Sequence, residues 1–505
     1  MRVALTGGLI ADGTGTDLAP GTVLVEGERI TAVLPPGEPV AEADVIDATG
    51  NIVAPGFVDL HSHADFSLGS SPAAESQLAQ GVTTLVAGNC GWSPFPITDL
   101  ETLRAGTAFL GPKHEWSWND LAGFAATLQP AVNLALQVGH CTLRIAAMGS
   151  AKRPPSPEEL RTMQDLLRAA ADQGAVGFST GLIYAPGAYA SPEEVAALVA
   201  TAAECGLLYS THIRNEGAGL LAALDEAIAA ARVGGAQLEI SHLKAVGKAN
   251  YGLVEAALEH LDKVDDVDLG WDAYPYTATS TTLTTRLPTW ALAGGALLDR
   301  LADPAERKRI AEALRADALL SPDSVVIASL PPGRYEDSRG LSLTEMAQRD
   351  GVDAAEIVLR ILESHQAAVS VVNHAMSEDD VTTVLEHPRT AVASDGWIMD
   401  ATGPGHPHPR NFGTFPRVLG HYARDRGVLT LPEAIRRMTS LPASRLGLSD
   451  RGVIKPGAVA DLTVLDPHRI IDNSTYDDPW QLSTGINHVL LAGRPAHIGS
   501  GRVIS

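Results

Sequence analysis

Over residues 1 to about 52 the chain alternates in short apolar runs, Val3 to Leu5, Thr22 to Val25 and Ile30 to Leu34, broken by Gly, Pro and Asp. Alternation punctuated by turn residues predicts an all-β segment. Beyond it the pattern changes. Short Val/Ile/Leu runs now alternate with Ala-rich stretches of helical period, which predicts βα units around a parallel sheet. The strand candidates are 52–60, 82–87, 132–138, 175–179, 207–211, 237–241, 266–272, 369–373 and 390–393, with helices between them, for example at 192–204, 219–232 and 377–386. An eight-stranded barrel has one place fewer than this, so one candidate lies outside it, and periodicity does not say which.

Two stretches interrupt the alternation. Residues 286–350 carry a polar helix at 304–316, a strand at 325–329 and a helix at 343–349, and read as an inserted subdomain. A Gly/Pro/His-rich loop at 402–413 follows Asp395, then helices at 416–424 and 431–439, and from Arg451 the β pattern returns and runs to Ser505. The first and last segments are expected to pair into one β module, since chain ends often lie close together. The division is 1–52 plus 450–505 for that module, 53–449 for the barrel, and 286–350 for the insertion.

Length and charge narrow the partners. A chain of 505 residues fits about three domains, or a barrel with an attached module. Its net charge of −23 disfavours nucleic acid and anionic membrane and leaves a small molecule as the expected partner. Cys90, Cys141 and Cys205 are too few and too scattered for a disulfide framework. With no signal-peptide pattern in the opening MRVALTGGLIADGTG and no apolar run of membrane-spanning length, a cytoplasmic location is expected.

The chemistry gathers at strand ends. Strand 52–60 runs into His61 and His63, which a strand's period of two points the same way as Asp59. Strand 82–87 is followed by Cys90, 207–211 by His212, 237–241 by His242, and 390–393 by Asp395. Any one of these alone reads as a core or surface residue. In a parallel barrel, however, all C-terminal strand ends open on one face. Six metal-capable side chains placed there predict a divalent metal site.

The ordered set FVDLHSHAD, GVTTLVAGNCGWSPFP, GFSTGLIYAPG, STHIRNEG, EISHLKAVGKANYG, DAYPYTATSTTL and ASDGWIMD resembles the N-acyl-D-amino-acid deacylases (D-aminoacylases) of the amidohydrolase superfamily. The closing VIKPGAVADLTVLDP is general to that superfamily, and the resemblance spans nearly the whole chain. It implies an (α/β)8 barrel of TIM type with a small β-sandwich built from both termini and the insertion near 286–350. Carried over by motif, His61, His63 and Asp395 would hold one metal position, and Cys90, His212 and His242 the other. Cys90 would stand where many amidohydrolases carry a bridging carboxylated lysine. A thiolate with two imidazoles favours zinc, so one Zn2+ is expected to be tight and the second position weak.

The implied reaction is hydrolysis of the amide of an N-acyl-D-amino acid. Zinc activates water and polarises the carbonyl, while Asp395 takes the water's proton and hands it to the leaving amine. Tyr184, Lys244 and Arg410 match the family's carboxylate-binding positions, and Ser280 is added to them. By that reading Lys244→Ala raises KM far more than it damages metal binding. Ala278-Thr279 before Ser280 departs from the family's usual Ala-Gly. Arg286 stands where members favouring apolar side chains carry an apolar residue; it either reaches an acidic substrate side chain or pairs with an acid of the insertion.

Other polar and aromatic residues are set aside. His140 and His374 match no ligand motif, His406 and His408 fall in a loop expected to act as a lid, and Trp92 is close enough to Cys90 to line the mouth. A cyclic-amide hydrolase of the dihydroorotase or hydantoinase kind is the alternative, but it calls for a bridging lysine where this chain has Cys90. A non-catalytic scaffold would have lost ligands that are all present here. Homo-oligomers are common among barrels of the superfamily.

Overall fold

The computed structural model describes residues 2–40, 42–110, 116–317 and 321–505. Eight strands, Phe57–Asp59, Val82–Ala87, Asn133–Gly139, Gly177–Gly181, Leu208–His212, Leu238–Ile240, Leu269–Ala273 and Thr390–Val392, lie side by side in sequence order and run parallel. Their side chains are almost wholly buried, as expected when helices cover one face and the barrel interior the other. The last strand meets the first just beyond its end. Asp395 N–H donates to His61 O and His63 N–H to Gly396 O, both at 2.8 Å, and Ser62 and Gly396 form a parallel bridge. The barrel therefore closes at the residues singled out for metal binding.

The helices start where their sequence tells them to. Pro157–Asp172 and Pro192–Glu204 both open Ser-Pro-Glu-Glu, and Ser156 and Ser191 accept from the N–H groups of Glu159 and Glu194 at 3.2 and 3.3 Å. Proline fits the first helical position because no N–H is needed there. Met163, Leu167, Val195 and Leu198 then join the barrel's main core.

Two strand candidates are corrected. The run at 52–60 is not one strand. Ile52–Pro55 pairs antiparallel with Leu462–Leu465 in the sheet of the chain ends, and Phe57–Asp59 opens the barrel. Gly56 makes the break: a Cβ there would lie 2.2 Å from Thr83 Cγ2, and its N–H donates to Asp461 O. Both halves are fully buried, so hydrophobicity alone cannot separate them. The ninth candidate also has its place. Ser370–Asn373 is the centre of an antiparallel sheet with Thr279–Thr282 and Val325–Ser329, outside the barrel. The separate core beside it runs from Leu283 to Val371, wider than 286–350.

The two chain ends share one eight-stranded mixed sheet. Its strand Arg2–Ile10 pairs with Ala19–Glu26 on one side, and on the other with Asp44–Asp47 and then Ile52–Pro55. The sheet forks there and closes over Leu5, Val23, Val25, Leu462 and Val464. Among the described residues no helix is long and apolar enough to cross a membrane.

Candidate metal centre

Beyond the first barrel strand the chain turns so that His61 and His63 both face Asp395. Their Nε2 atoms lie 3.5 and 3.1 Å from Asp395 Oδ1. Asp59, expected on the same side, is used differently. Its carboxylate accepts from Ser394 N–H and Oγ–H and from His61 N–H, tying the first strand end to the last. Burial raises its pKa to about 7 against the pull of Ser394 and His61.

Cys90 is the hub. Its Sγ lies 3.4 Å from His61 Nε2, 3.6 Å from His212 Nδ1 and 3.5 Å from His242 Nε2. Donor atoms of His61, His63, Cys90 and Asp395 fall within 4.8 Å of one another, and so do those of Cys90, His212 and His242. Gly88 and Gly91 frame the thiol at φ +85° and +78°; a Cβ on either would strike the backbone of Gln137 or Gly181. Cys90, His242 and Asp395 themselves sit at φ of 54°, 37° and 49°. Non-glycine residues held there cost roughly 1–3 kcal/mol each, a strain that clusters at functional sites. Burial alone would push the Cys90 thiol up, but His61 and the hydrogen bonds with His212 and His242 outweigh it. They hold the thiol well below its ordinary value. A buried thiolate facing imidazole nitrogens is the donor set zinc prefers, so these residues fit the ion.

Carboxylates stand behind the imidazoles. His61 Nδ1 pairs with Asp272 Oδ2 at 3.3 Å, and Asp272 Oδ1 accepts from His242 N–H at 2.8 Å. Glu216 lies behind His212 and His242 and pairs with Lys244 Nζ at 2.6 Å. Lys244 is itself buried. Its ammonium is held by Glu216 and by His242 O and lies 5.5 Å over the Tyr274 ring. Glu216 and His242 O take two of the ammonium's three N–H donors.

The cavity above Cys90, His63 and Asp395 takes its other walls from Tyr184, Ser280, Arg410 and the aromatic residues Trp92, Phe109 and Trp397. Ser280 comes from the insertion's sheet, so the subdomain supplies one wall of the barrel's mouth. Arg410 Nη1 donates to Asp395 Oδ2 at 2.7 Å, and its guanidinium lies 5.0 Å over Tyr274. Burial favours a neutral Asp395, yet Arg410, His61 and His63 hold its pKa well below the usual carboxylate range. The Tyr184 hydroxyl pairs with Thr281 Oγ1 at 3.2 Å; burial, then the charge at Cys90, keeps it protonated. Arg286 ends the turn Leu283–Arg286, outside the cavity lining. Burial disfavours its charge while Asp317 supports it, and its Nε has no hydrogen-bond partner among the described residues.

The loop expected as a lid is fastened instead. His408 is buried, with Nδ1 accepting from Arg410 N–H and Nε2 donating to Ala278 O, both at 3.0 Å. His406 pairs with Tyr476 O, and Trp480 Nε1–H donates to Gly405 O. Segments from the C-terminal part thus set Arg410 in place. His140 pairs with Glu194 at 2.9 Å beside Arg144 and binds no centre residue. Asp272, Tyr274 and Glu216 do not stand out in the sequence as metal-capable residues just past a strand end. Asp272 is within its strand, Tyr274 is a phenol directly after it, and Glu216 is four residues beyond His212.

The amidohydrolase family model matches residues 44–497. The chain is 38% identical to an N-acyl-D-glutamate deacylase of Alcaligenes xylosoxydans xylosoxydans over 98% of its length and 93% of that protein. It is 34% identical to a D-aminoacylase of the same organism, over 97% of this chain and 93% of the other. An N-acyl-D-glutamate deacylase from Bordetella bronchiseptica, solved with zinc and a phosphonate mimic of the tetrahedral intermediate, matches with a TM-score of 0.85 at 35% identity. That match covers 99% of each chain.

Proposed function

The chain belongs to the amidohydrolase family, and we propose how its own residues carry out the hydrolysis of N-acyl-D-amino acids to a carboxylate and a free D-amino acid. The observation that carries the proposal is Asp395, ionised and held between two imidazoles and the Arg410 guanidinium at the floor of the cavity. Three relatives at 32–38% identity over nearly the whole chain are an N-acyl-D-glutamate deacylase, a D-aminoacylase and an N-acyl-D-aspartate deacylase, which favours deacylation over the cyclic-amide alternative.

Cys90, His212 and His242 would hold the tight zinc, and His61, His63 and Asp395 a second, harder and weaker position. Zinc supplies Lewis-acid polarisation of the amide carbonyl and acidifies water. Asp395 accepts the proton of the attacking water and delivers it to the leaving amine. Arg410 anchors the α-carboxylate of the substrate. In taking that carboxylate it releases Asp395 Oδ2, so anchoring and proton transfer are linked through one guanidinium. Tyr184 and Ser280 add hydroxyl donors along the cavity. Lys244, paired with Glu216, would share the α-carboxylate with Arg410.

We assign an acidic D-side chain to Arg286, which would have to turn from Asp317 toward the cavity to meet it. Its position six residues after Ser280 and the name of the N-acyl-D-glutamate relative support this. The test is kcat/KM for N-acetyl-D-glutamate against N-acetyl-D-leucine. The glutamate derivative is expected to be the better substrate. Arg286→Met should lower the glutamate-to-leucine ratio about 10- to 100-fold, the worth of one charged hydrogen bond. An unchanged ratio would remove Arg286 from the substrate. We place the enzyme in the cytoplasm, in keeping with three cysteines that are all unpaired, and expect it to self-associate as barrels of its superfamily do.

A further inference from the structure

Glu216 takes part neither in the proton transfers nor in the lining of the cavity, yet the tight half of the centre converges on it. From the sulfur outward, His212 turns Nδ1 to Cys90 and its Nε2, which has no hydrogen-bond partner among the described residues, toward Glu216 Oε2, 3.6 Å away. His242 has its nitrogens exchanged: Nε2 faces Cys90, and Nδ1 lies 3.1 Å from Glu216 Oε1 and 2.7 Å from Lys244 Nζ. The two rings stand edge to face, their centroids 4.4 Å apart and their planes at 80°. Lys244 Nζ meets the same Oε1 at 2.6 Å, and its own side chain is only 4% exposed.

We propose that Glu216 is a positioning residue for the tight zinc position. One carboxylate orients both imidazoles, and Lys244 is its counter-charge. The inference rests on Cys90, His212 and His242 being the zinc ligands.

The geometry makes this more than a lysine's ion pair. A metal-binding histidine commonly donates its second nitrogen to a carboxylate, which fixes the tautomer and the ring angle. His61 has a carboxylate for this purpose in Asp272. The second nitrogens of His212 and His242 both face Glu216, so on this proposal one side chain sets the angle between the rings. Loosening that side chain frees both ligands together. Burial alone would raise the Glu216 pKa, but Lys244 and the two histidines hold it well below the ordinary range, so the shared acceptor is a carboxylate.

Glu216→Gln tests this, but it strands the Lys244 ammonium in a buried site, which is itself destabilising. Glu216→Gln/Lys244→Met removes that complication. The readouts are zinc affinity by chelator competition, the absorption spectrum of the cobalt(II)-substituted protein, and melting of the metal-free protein. Both variants are expected to hold zinc about 10- to 100-fold more weakly, with shifted cobalt bands, and the double variant to melt near wild type when metal-free. Wild-type zinc affinity and an unchanged cobalt spectrum in the double variant would overturn the proposal. A wild-type cobalt form without a thiolate charge-transfer band would instead overturn the ligand assignment beneath it.

Discussion

Asp395→Asn is expected to lower kcat by about 10²–10⁴-fold, the usual worth of a positioned acid–base group, while one zinc stays bound. Asparagine keeps the side-chain shape but cannot accept a proton from water or return it to an amine. The tight ligand set does not include Asp395, so zinc analysis of the purified variant should still find one equivalent. KM should not rise. In the parent protein Arg410 divides itself between Asp395 and an incoming carboxylate, and the neutral amide leaves the guanidinium to the substrate. The loss would then fall on kcat alone, as for a group that acts only in the transition state. A variant with parent-like turnover would remove Asp395 from the proton path. One that lost its zinc would place Asp395 in the tight site.

Cys90→Ser should act on the metal instead. Serine preserves the volume and tolerates the backbone at φ 54° as well as cysteine does, but its hydroxyl is not deprotonated near neutral pH. If zinc binding is worth about 12 kcal/mol and is shared among roughly four donors, losing the thiolate costs about 3 kcal/mol, on the order of 10²-fold in affinity. The variant should be isolated with little zinc and be nearly inactive, and excess zinc should restore part of its turnover. Cys90 acting as a nucleophile predicts the reverse: zinc retained and activity beyond rescue.

Much of this centre is legible in the sequence because barrel topology does the gathering. His61, His63, Cys90, His212, His242 and Asp395 span more than three hundred positions, yet each lies at or just beyond the end of a buried parallel strand, and such strands all end on one face. What was not legible turns on close approaches and on side-chain choice. Gly56 divides an apolar run because Thr83 leaves no room for a Cβ, and no hydropathy pattern records that. Ser370–Asn373 reads as a barrel strand because a strand buried in a subdomain has the same apolar pattern. Strand period points Lys244, two residues after His242, at the mouth, but it does not show the turn at His242, φ 37°, or the Glu216 carboxylate that the ammonium meets. The Gly/Pro/His-rich loop near His408 has the composition of a mobile lid. Its anchors, Tyr476 and Trp480, lie some seventy residues away, where local composition cannot show them.

The central claim is D-specific deacylation, and it can be tested in one assay. The zinc-loaded protein is given racemic N-acetyl-glutamate and racemic N-acetyl-leucine, and the released amino acids are resolved on a chiral column. The account predicts D-glutamate and, more slowly, D-leucine, with each L-derivative left intact. Release of the L-amino acids, or no release alongside ring-opening of a cyclic amide, would contradict it.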